Sequence, residues 1–221
     1  MTSSDMEYLT IALPKGKLFE PSVKLLAELG YTAEGLSENS RKLVIVNETK
    51  KIKFIITKTA DLPTYVEYGA ADIGIIGKDV LLEEAKHVYE LVDLKFGYCR
   101  LMVAVPQALK QEKFSDYAHM RVATKYPNIA ERFFHSMGIQ VEIIKLNGSI
   151  ELAPMVGLAE MIVDIVETGR TLKENQLIEV AQIEPATARF IANRVSFKMK
   201  FDRINQLTKD LQELVTRGGV K

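Results

Sequence analysis

Apolar positions along the chain alternate between two periods. Tyr8 to Leu13 is a dense apolar run of strand length, and Leu18 to Leu29 sets Leu18, Leu25, Leu26 and Leu29 on one helical face before Gly30. Leu43 to Val46 and Lys53 to Thr57 read as paired strands across a turn from Asn47 to Lys51. Asp61 is expected to cap a short helix with Pro63 in its first turn, ending near Gly69. Asp72 to Ile76 follows as a strand and Asp79 to Ala85 as a helix. The alternation then restarts with strands at Leu101 to Val105 and Arg121 to Thr124. A helix from Asn128 to Met137 stops at Gly138, and Val141 to Leu146 is a strand. Ser149 is expected to cap a helix carrying Glu151. From Ile162 to Val166 every residue except Asp164 is apolar and β-branched, the signature of a buried strand. Leu177 to Ile183 predicts a strand and Ala186 to Arg194 a helix. A last amphipathic helix, Lys200 to Val215, turns Ile204, Leu207, Leu211 and Leu214 inward.

Repeated βα units predict an α/β protein built on open, mainly parallel sheets with helices on both faces. Two such runs, split near residue 95, predict two lobes with a cleft between them. With 221 residues, 47% hydrophobic and 26% charged, the chain has the composition of an ordinary globular protein. Lys+Arg and Asp+Glu both total 29, so no global field recruits nucleic acid or an anionic membrane, and any phosphate binding must be local. No apolar run approaches the ~20 residues of a membrane span. The single cysteine, Cys99, excludes an internal disulfide framework and reads as a buried strand-end residue. With no basic and apolar leader over the first eight residues, a cytoplasmic location is expected.

The richest chemistry follows the strand at Ile162 to Val166. Glu167-Thr168-Gly169-Arg170-Thr171 offers two hydroxyls, a cation, a glycine free to take positive φ, and exposed backbone N–H groups. Between a strand and a helix, such a loop suits a phosphate. Asp164 and Glu167 beside it can face sugar hydroxyls or order a magnesium-bound water. Phosphate plus ribose is the ligand class. Thr- and Gly-rich joints also occur as plain turns. The whole string Met161 to Leu172, however, resembles the phosphoribosyl-pyrophosphate (PRPP) loop of phosphoribosyltransferases. With its flank Gly148 to Glu160 it resembles ATP phosphoribosyltransferase, which joins ATP to PRPP as the first step of histidine biosynthesis.

That resemblance runs from about Leu9 to Asp202. It implies a two-lobed, periplasmic-binding-protein-like (type II) fold, with residues 1–95 forming lobe one, completed by 183–221, and 96–182 forming lobe two. It implies PRPP binding by Asp164, Glu167, Thr168, Gly169, Arg170 and Thr171. Lys15-Gly16-Lys17, at the head of the first helix, makes a second anion site; its bland alternative is a pair of solvated lysines. The family places basic-Gly-basic here, frequently with arginine last, where this chain has Lys17. Arg41, in Ser40-Arg41-Lys42, matches an arginine that reaches the pyrophosphate leaving group, so Arg41, Lys17 and Lys15 are the expected catalytic residues. Lys58, Gly77 and Asp79 are expected to contact ATP. The segment Gly69-Ala-Ala-Asp72 resembles ligand-approached strands of solute-binding folds. Glu160 stands where aspartate is usual.

His87, His119 and His135 have no metal-ligand spacing, and neither a P-loop nor a nucleophile elbow occurs. Mg²⁺ is therefore expected on the substrate phosphates, with no protein-held metal. The resemblance is to the short form of the family, which implies a homodimer working with a regulatory subunit similar to histidyl-tRNA synthetase. A non-catalytic two-lobed small-molecule binding module would share the fold but has no need of the Thr-Gly-Arg-Thr loop. A transcription-factor effector domain would need a DNA-binding segment before the first strand.

Overall fold

The computed structural model describes residues 7–218. The chain forms two compact units, Met1–Gly97 with Thr187–Lys221, and Tyr98–Ala186. In chain order the first contributes β1 (Leu9–Pro14), α1 (Phe19–Glu28), β2 (Val44–Asn47), β3 (Ile52–Thr57), α2 (Leu62–Glu67), β4 (Ile73–Gly77), α3 (Lys78–Glu84) and β5 (Tyr89–Asp93). The second holds β6 (Cys99–Pro106), β7 (Arg121–Thr124), α4 (Pro127–Ser136), β8 (Glu142–Lys145), α5 (Leu152–Met155), β9 (Met161–Val166), α6 (Arg170–Glu174) and β10 (Leu177–Ala186). The chain then returns to the first unit with β11 (Ala188–Ala192), α7 (Arg194–Met199) and α8 (Phe201–Thr216).

The first sheet has the order β2-β3-β1-β4-β11-β5. Alternate residues of β1 feed opposite faces, as a period of two requires. Leu9, Ile11 and Leu13 pack with Phe19, Leu25 and Leu26 of α1 and with Ile204, Leu207 and Leu211 of α8. Ala12 packs on the other side with Leu62 and Val66 of α2 and Leu81 of α3. The second sheet, β10-β6-β9-β7-β8, is likewise covered on both faces, by Ala130 and Phe134 of α4 and by Ala153 and Leu172 of α5 and α6. No helix among the described residues is long and apolar enough to cross a membrane.

Several expectations are corrected. Ala186 to Arg194 is not a helix: β11 runs antiparallel between β4 and β5 in the sheet interior. Its alanines favour a helix locally, but Phe190, Ile191 and Ala192 are fully buried on both sheet faces, so tertiary pairing overrides propensity. The strand β5 had no strong apolar signal, because Tyr89-Glu-Leu-Val-Asp93 is a charged edge whose Glu90 and Asp93 pair with Arg189. The sheets are mixed and not mainly parallel. Only β1–β3, β1–β4, β7–β8 and β7–β9 are parallel; the other pairings are antiparallel. Neither expected side-chain cap forms. Asp61 lies at the start of α2 in helical backbone geometry with no capping bond, and Ser149 uses its carbonyl to accept the Leu152 N–H. Cys99 is the buried first residue of β6, as expected.

A buried ion pair fixes α8 to the sheet. Lys200 Nζ donates to Asp72 Oδ2 at 2.7 Å and to the Tyr8 carbonyl at 2.6 Å, and the same carboxylate oxygen accepts the Thr10 N–H. The two side chains are 8% and 2% exposed, so removing one partner strands a charge in the interior. Lys200→Met should therefore cost about 3–5 kcal/mol in urea unfolding. A loss under about 1 kcal/mol would mean the pair is dispensable.

Candidate functional site

In open α/β sheets ligands collect where parallel strands end, because loops and helix starts converge there. In the second unit the parallel trio is β9-β7-β8. Thr124 Oγ1 donates to the Val163 carbonyl at 2.6 Å and accepts the Tyr126 N–H at 2.8 Å, locking the ends of β7 and β9 together. Asp164 is half-buried near the end of β9. Burial raises its carboxyl to about 6, with the Ile165 N–H and Lys125 pulling it down and Glu151 pushing it up. The charges of Lys125, after β7, and Glu151, after β8, thus both act on this one carboxylate.

In the loop after β9, Glu167, Thr168, Arg170 and Thr171 are exposed, and Gly169 stands at φ 74°, ψ 2° as the N-cap of α6. The left-handed backbone is what turns the strand into the helix, and glycine adopts it without a Cβ clash. The first N–H groups of α6 have no acceptor inside the helix. Behind Gly169, Glu179 of β10 is held by Arg100 through two bonds of 2.9 and 3.0 Å. Glu160 has no part in this cluster. It precedes β9 at the opposite strand end and accepts the Arg121 N–H at 2.8 Å; the Arg121 guanidinium holds its carboxyl down at about 2.

In the first unit the parallel trio is β3-β1-β4, and the cations expected from the sequence gather at its carboxyl ends. Lys15, Gly16 and Lys17 follow β1, Lys58 follows β3, and Gly77 ends β4 with Lys78 and Asp79 just after it. The Lys15 N–H donates to the Thr57 carbonyl at 2.9 Å and Thr59 Oγ1 to the Lys15 carbonyl at 3.0 Å, tying the first two segments together. Because β2 runs antiparallel to β3, its start lies beside the end of β3, where Ile56 donates to the Leu43 carbonyl at 2.9 Å. That places Arg41 on the same edge, exposed and without an ion pair among the described residues. Gly16, at φ 92°, donates its N–H to Glu38 Oε1 at 2.6 Å.

Asp79 differs from its neighbours. It is 9% exposed and its carboxylate folds over Gly77, where any Cβ would collide with it. Gly77 is buried as well, and Lys78, half-buried between them, pairs with Glu90 at 2.6 Å. The Gly69-to-Asp72 segment is also corrected. It leads into the amino end of β4, opposite the cation cluster, and Asp72 is consumed by Lys200. Lys125 and Glu38 are the chemically relevant residues that sequence patterns missed. Lys125 directly follows a strand that proves parallel, so the strand-end rule would have found it; Glu38 carries no local signal at all.

Both clusters offer the donors and cations that phosphates and a sugar require. A family model described as ATP phosphoribosyltransferase matches residues 58–213. The chain belongs to the ATP phosphoribosyltransferase family. Relatives of that name include one from Syntrophomonas wolfei, 52% identical over 96% of this chain and 98% of that protein. Another, from Desulfitobacterium hafniense, is 54% identical over 94% of this chain and 96% of that protein. Among solved structures, an ATP phosphoribosyl transferase (HisG:HisZ) complex from Thermotoga maritima aligns with TM-score 0.82 and 34% identity, covering 95% of this chain and 99% of the other. The substrate-binding protein of an amino acid ABC transporter aligns with TM-score 0.62 at 14% identity, which shows the shared fold of family and binding proteins and nothing about ligand.

Proposed function

We infer that this chain catalyses transfer of the 5-phosphoribosyl group from PRPP to N1 of the adenine of ATP, releasing pyrophosphate. The carrying observation is the near full-length identity to enzymes of that name, joined to the hydroxyl-, glycine- and cation-bearing loop at the end of β9. In this reading Thr168, Gly169, Arg170 and Thr171 hold the 5′-phosphate, while Asp164 and Glu167 face the ribose hydroxyls. Lys15, Lys17 and Arg41 take the pyrophosphate, and Lys58 with the Gly77 backbone takes ATP. Asp79, in the first turn of α3 with its carboxylate against Gly77, stands with them on the ATP side.

Adenine N1 carries a lone pair and no proton, so attack on the anomeric carbon needs no general base. What the residues supply is alignment and a counter-charge for the departing pyrophosphate. The carboxylates Asp164 and Glu167 offer only hard oxygen donors, which suits ordering the water shell of a magnesium ion brought in on the substrate phosphates. Such an ion would add further neutralisation of the leaving group. The Thermotoga relative is a complex of two named proteins. The same reading makes this chain the catalytic subunit, a cytoplasmic homodimer that joins a histidyl-tRNA-synthetase-like regulatory subunit in a hetero-oligomer. The test is turnover: ATP, PRPP and Mg²⁺ with the purified chain, alone and with that subunit, should release pyrophosphate. A silent mixture in both cases rejects the assignment and favours a binding module.

The raised Asp164 carboxyl gives a pH signature. Its folded value of about 6 lies above the ~3.9 of an unfolded aspartate, so between these the folded chain binds more protons. Its contribution to stability is therefore full below pH ~4 and lost as pH rises through about 6. PRPP binding should run the other way, since a protonated carboxyl accepts ribose hydroxyls poorly. Asp164→Asn should remove both trends, which separates them from titration of PRPP itself. Calorimetry and unfolding between pH 4 and 8 measure the two; a stability trend without a matching binding trend would make Asp164 a scaffold residue.

A further inference from the structure

Glu38 is a charged residue that the reaction as described leaves unused. Its carboxylate accepts the Gly16 N–H at 2.6 Å, across 22 positions of chain. Gly16 sits between Lys15 and Lys17 with open space where a side chain would be. An N–H donor between two ammonium-bearing residues is a natural receptor for an anion. In the free chain that receptor already holds an anion, and it is an internal one. Glu38 belongs to the same irregular segment between α1 and β2 as Arg41, only three residues away.

We propose that Glu38 is an internal competitor for the pyrophosphate subsite. Its carboxylate occupies the Gly16 N–H in the free enzyme, is displaced when the pyrophosphate of PRPP arrives, and returns to help expel the pyrophosphate product. The proposal rests on the catalytic reading above. A single carboxylate and a multiply charged pyrophosphate cannot share one N–H donor, because like charges repel at that range. A tethered group competes at an effective concentration on the order of millimolar, so it weakens a soluble anion without abolishing its binding. The gain would be faster release of product, a step that limits many enzymes.

The test uses the full chain and magnesium pyrophosphate as probe. Glu38→Ala should bind pyrophosphate about tenfold more tightly by calorimetry, the effect of removing one charge-assisted competitor, and should show stronger product inhibition during turnover. Glu38→Gln, which keeps a neutral acceptor, should fall between the two and serves if the alanine variant does not fold. Unchanged or weaker pyrophosphate binding in the folded variants overturns the proposal and makes the contact a loop support. Wild-type turnover of ATP and PRPP distinguishes the failures. If it is present while the variants bind no tighter, the competitor alone is rejected; if it is absent both alone and with the regulatory subunit, the catalytic reading falls as well.

Discussion

Replacing Gly169 by valine is expected to abolish detectable PRPP binding while leaving the chain folded. The reason is backbone geometry more than lack of room. A Cβ on Gly169 would meet Glu179 Oε1 at 3.5 Å and Val166 Cγ1 at 4.0 Å, both ordinary contacts. At φ 74°, however, a side chain costs about 1–2 kcal/mol, and a β-branched one resists that region most. The cheapest relief is to rotate the peptide units around residue 169 to negative φ. That turns the N–H groups at the head of α6 away from the loop mouth and puts a branched side chain where the phosphate would lie. Stability should fall only by about that strain, because α6 is five residues long and the unit is held by β9 and β10. Gly169→Asn is the informative companion, since asparagine tolerates the left-handed region, and it should retain much of the affinity. Calorimetry with PRPP on variants checked by thermal unfolding decides it. Wild-type affinity in the valine variant would reduce the loop to a structural turn.

That loop was legible in the sequence because its signal is local. A β-branched run, a glycine and hydroxyl residues within eleven positions define strand, turn and helix start without reference to the rest of the chain. The same holds for α1 and α8, where helical spacing alone places Leu25, Leu26, Ile204, Leu207 and Leu211 in the core. What was not legible depends on partners far away in sequence. β11 reads as a helix until β4 and β5 are known to flank it. Asp72 reads as part of a ligand strand until Lys200, 128 positions later, is found on it. Strand direction is equally non-local: β6 and β10 look like any other buried runs, yet pair antiparallel and make the second sheet mixed.

The site shows the same division. Lys15, Lys17, Lys58 and Arg41 were identified one motif at a time, yet what makes them a cluster is that β3, β1 and β4 end on one edge and β2 begins there. Asp79 was named from its motif, but only the structure reveals that it faces inward over Gly77. Motif reading gives residue identity; strand order decides which residues meet and which of them are exposed.

Arg41→Ala should slow the chemical step by about 10²–10³-fold, or ~2.7–4 kcal/mol, the usual loss for one group that stabilises developing negative charge. As the C–O bond to pyrophosphate breaks, charge accumulates on the leaving oxygens, and a planar guanidinium can meet two of them at once. The position suits a group that acts late. Arg41 is exposed at the start of β2, on the cation-bearing edge, and no carboxylate among the described residues neutralises it beforehand. Lys15 and Lys17 can hold the ground-state diphosphate without it, so PRPP affinity should change little. Arg41→Lys separates charge from geometry: it keeps the cation but loses the fork, and should recover only part of the rate. Pre-steady-state kinetics are the measurement, with a slowed burst expected at near-normal PRPP affinity. A normal burst with only a raised KM would place Arg41 in substrate capture and leave the leaving-group charge to the lysines and the substrate-borne metal.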